Sequence, residues 1–340
     1  MNKPRSSVLS IATVAAMVMG ILSLGCGASL VTPELTGTAV ASAQQAPASG
    51  ARVVSRQHIA GNYWKIRVWS PANKRVIVNN VLLPAGDQPR STLYLLPGLE
   101  GGMQGQNWIT HSDVEQFFAG KNVNVVMPLG GAHSLYTDWQ QRDPILGINK
   151  WNTYMAEELP SVMEREFHGN GRDAIAGLSS TGAAALDIAG HAPHRFKAAA
   201  SYSGCPIRSS GFGLPVSAAM MLYGGGNPLN AWGMPGSDAW RDHDPNANPA
   251  RLRGVNVFLA SASGTPGPID GPVSSSQWGG PRATEIVANE CTRLFAQRAR
   301  AYGVNVNRYY TSTGSHSFPL FAHQLKVSWA QTIAPTLGLS

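Results

Sequence analysis

Charge is sparse in this 340-residue sequence: Asp, Glu, Lys and Arg together make up 13% of it. The basic residues are scattered, with no Lys/Arg run and no aromatics interleaved among them. That argues against a nucleic-acid surface. Cysteine is also scarce, with three in the chain, and no repeat of fixed period is visible. What is abundant is 37 Gly and nine Trp against an ordinary 43% apolar content. This suits a loop-rich, aromatic-lined enzyme better than a coiled coil or a disordered tail. The length allows one large domain or two small ones.

The N-terminus reads as a targeting segment. Lys3 and Arg5 precede an uncharged stretch over 6–31, apolar over 8–24, and a small-residue site, Ala41-Ser42-Ala43, follows. A secretory signal over 1–43 is expected, with an uncleaved anchor or a lipoprotein signal at Cys26 as the alternatives. Removing 1–43 takes away Lys3, Arg5 and Glu34, so the formal charge falls from +7 to +6. A positive balance suits an anionic envelope surface. Cys205 and Cys291 remain. An even pair in an oxidising compartment invites a disulfide, two buried thiols being the alternative.

Residues 44–52 read as a flexible leader and 53–340 as one catalytic domain. The runs at 63–71 and 74–84 alternate apolar and polar residues, as half-buried antiparallel strands do. Short apolar runs follow at 91–98, 122–131, 173–179, 196–204 and 255–264, each ending in Gly, Pro or Ser. Helix-like stretches at 111–120, 152–168, 180–191 and 283–302 lie between several of them. Such alternation predicts an α/β fold, a mostly parallel sheet covered on both faces with its sites at the C-terminal strand ends. The segment 205–250, rich in Gly, Pro, Met and Trp, reads as an insertion over the site, helical around 214–223. Its apolar residues favour a lining for an apolar ligand over a plain surface loop.

The stretch "AIAGLSSTGAAALDIAG" (174–190) puts Ser179 between a strand and a helix, the context of a nucleophile elbow. The usual G-x-S-x-G is imperfect, since Thr181 occupies the fifth position and Gly182 follows. A helix N-cap explains a lone serine equally well. A nucleophile needs a base, oriented by an acid. The chain order Ser, acid, His points to His316 in "TSTGSHSFP", with His323 the nearest rival. Asp270 and Glu290 compete for the acid. Asp270 follows the 255–264 strand, the usual hydrolase position, and spacing favours it. The N–H of Leu99 or Glu100, in "YLLPGLEGG", is a candidate oxyanion donor.

"LYLLPGLEGG", "NVVMPLGGAHSLYTDW", "ELPSVM", "AIAGLSSTGAAAL", "AWGMPGSDAWRDHDP", "ASGTPG" and "GSHSF" occur in that order. From about residue 90 onward the chain resembles the secreted mycolyltransferases of mycolic-acid bacteria, the antigen 85 type and its corynebacterial relatives. The resemblance implies an α/β-hydrolase fold and a Ser–Glu–His triad: Ser179, His316 and, in the helix ahead of the histidine, Glu290 in place of Asp270. It implies oxyanion donors at the Leu99 and Ser180 N–H groups. Glu100, Trp108 and Phe318 are the candidate substrate-contacting side chains, and no cofactor or metal is expected.

Where the antigen 85 type has Asp-Gly-Leu-Arg, with Asp and Arg on trehalose, this chain has Pro97-Gly98-Leu99-Glu100. The family's short-loop disulfide is absent, and Cys205 and Cys291 stand elsewhere, suited to tie the acid's helix to the nucleophile's strand. The implied function is transfer of a mycolyl group from an acyl-trehalose donor to a glycan hydroxyl, in the cell envelope or outside it. The alternatives are a protein hydroxyl as acceptor, a secreted esterase, or a matrix-binding adhesin on the same fold.

Overall fold

A computed structural model describes residues 50–271 and 280–339. The expected signal over 1–43 and most of the leader lie outside the described residues. The leader ends sooner than expected: Ala51 is buried, and Arg52 opens the first strand.

One sheet organises the chain. Its strands are β1 (Arg52–Ala60), β2 (Tyr63–Ser70), β3 (Arg75–Leu82), β4 (Thr92–Leu96), β5 (Asn124–Leu129), β6 (Asp173–Leu178), β7 (Phe196–Tyr202), β8 (Asn256–Ala262) and β9 (Val306–Thr311). They lie in the order β1-β2-β3-β5-β4-β6-β7-β8-β9. β1, β2 and β3 are antiparallel, as is the β3–β5 junction; β4 to β9 are parallel. Every residue of β4 and β6 is buried, as continuous apolar strands covered on both faces must be. β1 is the contrary case. All but one of its residues are exposed, and its sequence carries no alternation to read. Arg56 stacks its guanidinium 4.6 Å from the Phe167 ring centroid and pairs with Glu166 at 2.7 Å, which holds this edge strand down.

Two apolar layers sandwich the sheet. One face carries helices α1 (Leu159–Glu166), α2 (Ser180–His191) and, further along, Gly280–Ala301, through Leu159, Val162, Ala184, Ala185, Ile188 and Phe295. The other carries Trp108, Phe118 and the C-terminal helix Phe318–Ser328 through Phe321 and Leu325. Between β7 and β8 the insertion forms α3 (Gly213–Tyr223), α4 (Pro228–Trp232) and α5 (Asp238–Asp242). The helices that follow it are α6 (Gly280–Ala301) and α7 (Phe318–Ser328). Among the described residues no helix is long and apolar enough to cross a membrane.

Candidate active site

Ser179 is the hinge between β6 and α2, and its backbone has φ 53° and ψ −124°. A side-chain-bearing residue at positive φ costs energy, on the order of 1–3 kcal/mol, and persists only where its surroundings impose it. Here they do. The Ser179 N–H donates to the Tyr202 carbonyl at 2.8 Å, and its carbonyl accepts the Gly182 N–H at 3.0 Å. A Cβ at Gly177 would run into the Thr181 carbonyl, and one at Gly182 into the Ser201 hydroxyl. Gly182 therefore supplies the close approach to β7, which frees the preceding position for Thr181. The Thr181 hydroxyl reaches the Pro97 carbonyl at 2.7 Å, tying α2 to the loop that carries Leu99. Ser179 makes no side-chain cap bond to α2, so its hydroxyl is free for other partners.

That hydroxyl lies 2.7 Å from His316 Nε2. On the other side of the ring, His316 Nδ1 donates to Glu285 Oε2 at 2.9 Å. A carboxylate on Nδ1 fixes the proton there and leaves the Nε2 lone pair facing the serine. Glu285 is wholly buried, and its second oxygen accepts from the Ala262 N–H at 2.7 Å and the Ser203 hydroxyl at 2.8 Å.

Glu285 corrects the sequence-based choice of acid. Glu290 stands five residues further along α6, about 140° round the helix. It is half exposed and paired with Arg293, whose guanidinium holds its carboxyl below the usual range. Nothing brings it to His316. The helix periodicity carried the missed signal: Glu285, Ala288, Thr292, Phe295 and Ala299 form one buried stripe, and Glu290 falls outside it. Asp270 is buried, but it accepts from Ser315 and Ser317, not from the imidazole. His323 hydrogen-bonds the Tyr309 hydroxyl and is likewise remote in role from Ser179.

Cys205 and Cys291 are bonded, with their Cα atoms 4.9 Å apart and 86 residues between them. The bridge fastens α6, one turn and a half beyond Glu285, to the chain just after Ser203. A loop of this size makes such a link worth on the order of 4–5 kcal/mol in chain entropy.

Leu99 lies in the turn after β4, and its carbonyl accepts the His133 N–H at 2.9 Å. Among the described residues its own N–H has no acceptor. Ser180 is the first residue of α2, where backbone N–H groups lack intrahelical partners. Glu100, beside Leu99, is half exposed, with Oε2 3.3 Å from His133 Nε2. His133 Nδ1 in turn meets the Met220 carbonyl of α3 at 3.1 Å. Trp108 requires a second correction: it is buried, its indole N–H donates to the Leu96 carbonyl at 3.0 Å, and its ring abuts Tyr202 and Phe318. It supports the end of β4 from beneath and has no face to offer a substrate. Phe318 is partly buried against Trp108 and Phe321, two residues from His316.

The insertion sits on a third apolar cluster: Leu135, Trp139, Met221, Ala231, Trp232 and Trp240, with Leu99 packed against it. Residues 209–237 contain no Asp, Glu, Lys, Arg or His, and Leu222, Tyr223, Leu229 and Met234 are exposed there. Polar clips anchor this segment at both sides. Asp143 accepts from the Asn227 N–H and the Asn230 side chain; burial alone would raise its carboxyl, but these bonds and those from Ile145 and Leu146 hold it at about 2. Asp187 of α2 meets His191 at 3.1 Å and His243 at 3.0 Å, with Arg208 at 3.7 Å.

The Putative esterase family profile matches residues 70–332. The chain is 30% identical over 272 residues to the MPT51/MPB51 antigen of Mycobacterium tuberculosis, covering 75% of this chain and 87% of that one. It is 32% identical over 263 residues to the diacylglycerol acyltransferase/mycolyltransferase Ag85B of Mycolicibacterium smegmatis, covering 74% and 77%. To Ag85C of Mycobacterium avium it is 30% identical over 308 residues, covering 88% and 82%. The crystal structure of M. tuberculosis MPT51 superposes with a TM-score of 0.67 at 26% identity, covering 82% of this chain and all of that one. An S-formylglutathione hydrolase of Agrobacterium tumefaciens, at 17% identity and TM-score 0.59, shares the fold. With an esterase profile across most of its length and acyltransferases among its relatives, the chain belongs to the mycolyltransferase family of α/β-hydrolase enzymes.

Proposed function

We propose that this enzyme moves a mycolyl group from an acyl-trehalose donor, through an ester on Ser179, to a hydroxyl acceptor in the cell envelope. The observation that carries the reading is the unbroken relay from the Ser179 hydroxyl through His316 to the buried Glu285. His316 Nε2 takes the serine proton as Oγ attacks the donor's acyl carbon. Glu285 stabilises the imidazolium that results. The Leu99 and Ser180 N–H groups hold the oxyanion, each contributing roughly 3 kcal/mol to lowering the barrier. His316 returns its proton to the departing sugar oxygen, completing the acyl-enzyme. An acceptor hydroxyl then gives its proton to His316 and attacks the same carbonyl, and His316 passes that proton to Ser179 Oγ as the acyl–serine bond breaks.

Transfer needs water kept out and a place for a long chain. The charge-free 209–237 segment over the Leu135–Trp139–Trp232 cluster supplies an apolar track beside Leu99. Glu100, tethered to His133 and next to Leu99 in the chain, is on this reading the carboxylate that meets the acceptor. A carboxylate there accepts hydrogen bonds from a sugar diol, which favours a glycan hydroxyl over a protein serine. The secretory signal expected over 1–43 fits an envelope or extracellular location.

The test is to incubate the protein with mycolyl-trehalose and with trehalose, arabinogalactan fragments or serine peptides, and to identify the acylated product by mass. Acyl trehalose or acyl arabinan is expected. Acyl peptide alone would replace the glycan acceptor with a protein one, and free mycolic acid alone would make the enzyme an esterase.

A further inference from the structure

Two carboxylates converge on the loop that carries His316, and the relay uses only one of them. Glu285 takes the ring. Asp270, 7% exposed, takes the backbone and side chains on either side of it. Its Oδ1 accepts from the Ser315 N–H at 3.0 Å, the Ser315 hydroxyl at 2.7 Å and the Ser317 hydroxyl at 2.9 Å. Its Oδ2 accepts from the Gly267 N–H at 2.9 Å. Four donors on one buried carboxylate make a rigid node. The two loops are stitched further, Gly314 N–H to the Thr265 carbonyl at 2.7 Å and Gly264 N–H to the Gly314 carbonyl at 3.0 Å. The His316 N–H itself donates to the Pro281 carbonyl at 3.2 Å.

Ser317 shows that the node has a competitor and wins. It is the N-cap of α7, the position where a serine hydroxyl ordinarily bonds the helix's free N–H groups. It makes no such bond. The hydroxyl turns to Asp270 instead. An N-cap given up in favour of a carboxylate one residue from the base is a local rule broken beside the site.

We propose that Asp270 is a positioning residue: by holding Ser315 and Ser317 it sets the height of His316, so that Nε2 meets the Ser179 hydroxyl at hydrogen-bond distance. Acids of this fold commonly occupy the loop after β8, where they orient the imidazole through its ring. Here that place orients it through the peptide on both sides, and α6 supplies the ring's partner. The inference rests on the relay proposed above and concerns one residue that the relay does not contain.

The experiment compares wild type, Asp270→Asn, His316→Ala and the double variant on p-nitrophenyl butyrate, with folding followed by circular dichroism and thermal midpoint. Displacing a base by about 1 Å costs on the order of 10²-fold. Asp270→Asn should therefore lower kcat about 10- to 100-fold, with KM within about twofold of wild type. In the His316→Ala background the same substitution should leave the residual rate within about twofold, because there is no imidazole left to place. An unchanged kcat in folded Asp270→Asn would overturn the proposal, as would an equal fold-loss in both backgrounds. If Asp270→Asn does not fold, Ser315→Ala and Ser317→Ala decide it, each removing one donor. A several-fold loss of kcat in either supports the node, and full activity in both overturns it. A wild-type protein that turns over no ester would sink the relay itself, whereas an active wild type beside an equally active Asp270→Asn sinks this inference alone.

Discussion

The elbow and the insertion both meet the turn that carries Leu99, the one through the Thr181–Pro97 hydrogen bond and the other through apolar packing, and they are built on opposite principles. Around Ser179 the polar groups of the relay are named and paired: serine to histidine, histidine to Glu285, Glu285 to Ala262 and Ser203. Over 209–237 charge is absent, and large apolar side chains stand in the open. The first region needs positions fixed to a fraction of an ångström. The second, on the proposed function, accepts a long flexible chain, for which non-directional apolar contact suffices. Precision comes from hydrogen bonds and a disulfide, tolerance from Met, Leu and Gly.

The sharpest way to break that contrast is on α6. Glu285→Gln should lower kcat on the order of 10³- to 10⁴-fold, since the imidazole loses both its orienting partner and the charge that stabilises it. Glu290→Gln, on the exposed side, should stay within about twofold. Steady-state ester hydrolysis checks both, and the reverse ranking would show that the helix is misread.

The next effect is on stability. Cys205→Ser with Cys291→Ser should remove on the order of 4–5 kcal/mol and lower the thermal midpoint by about 8–20 °C. Calorimetry on oxidised and reduced protein measures it. An unchanged midpoint would mean that α6 is held by packing alone.

A smaller effect should divide long from short substrates. Leu222→Glu puts a charge into the charge-free segment. It should reduce transfer from a long-chain donor about tenfold while leaving p-nitrophenyl butyrate turnover within about twofold. Equal loss on both substrates would make the segment a structural cover only.

The smallest concerns the ionic clip. Hydrogen bonding to Asp187 raises His191 to about 9, with Asp242 adding to the effect. A group whose pKa rises on folding adds stability that is complete below its unfolded value of about 6.5. That stability is lost as pH climbs through 9. The thermal midpoint should decline over this window, and less so in His191→Gln. An identical decline in both proteins would place the titrating group elsewhere.

Much of this was legible in the residues. Ser179 was marked by a strand, a glycine and a helix, and His316 by its place after the last strand. The parallel strands announced themselves as short apolar runs, because burial on both faces leaves no room for polar positions. What escaped did so for reasons of geometry. β1 is exposed nearly throughout, so no hydropathy pattern betrays it. Trp108 looked like a ligand platform because a sequence does not say which side of a strand end a ring faces. Glu285 escaped because the resemblance points only to the helix ahead of the histidine, and the choice of Glu290 on it ignores which helical face is buried. The side chains buried beside Glu285 mark the turn on which a carboxylate could be desolvated and aimed inward.

The central claim is that Ser179 is the nucleophile of this relay, and covalent capture tests it most directly. Treating the intact protein with a fluorophosphonate should add one adduct mass, mapped by peptide sequencing to Ser179 and abolished in Ser179→Ala. No adduct on folded wild-type protein, or labelling that persists unchanged in Ser179→Ala, would contradict the account.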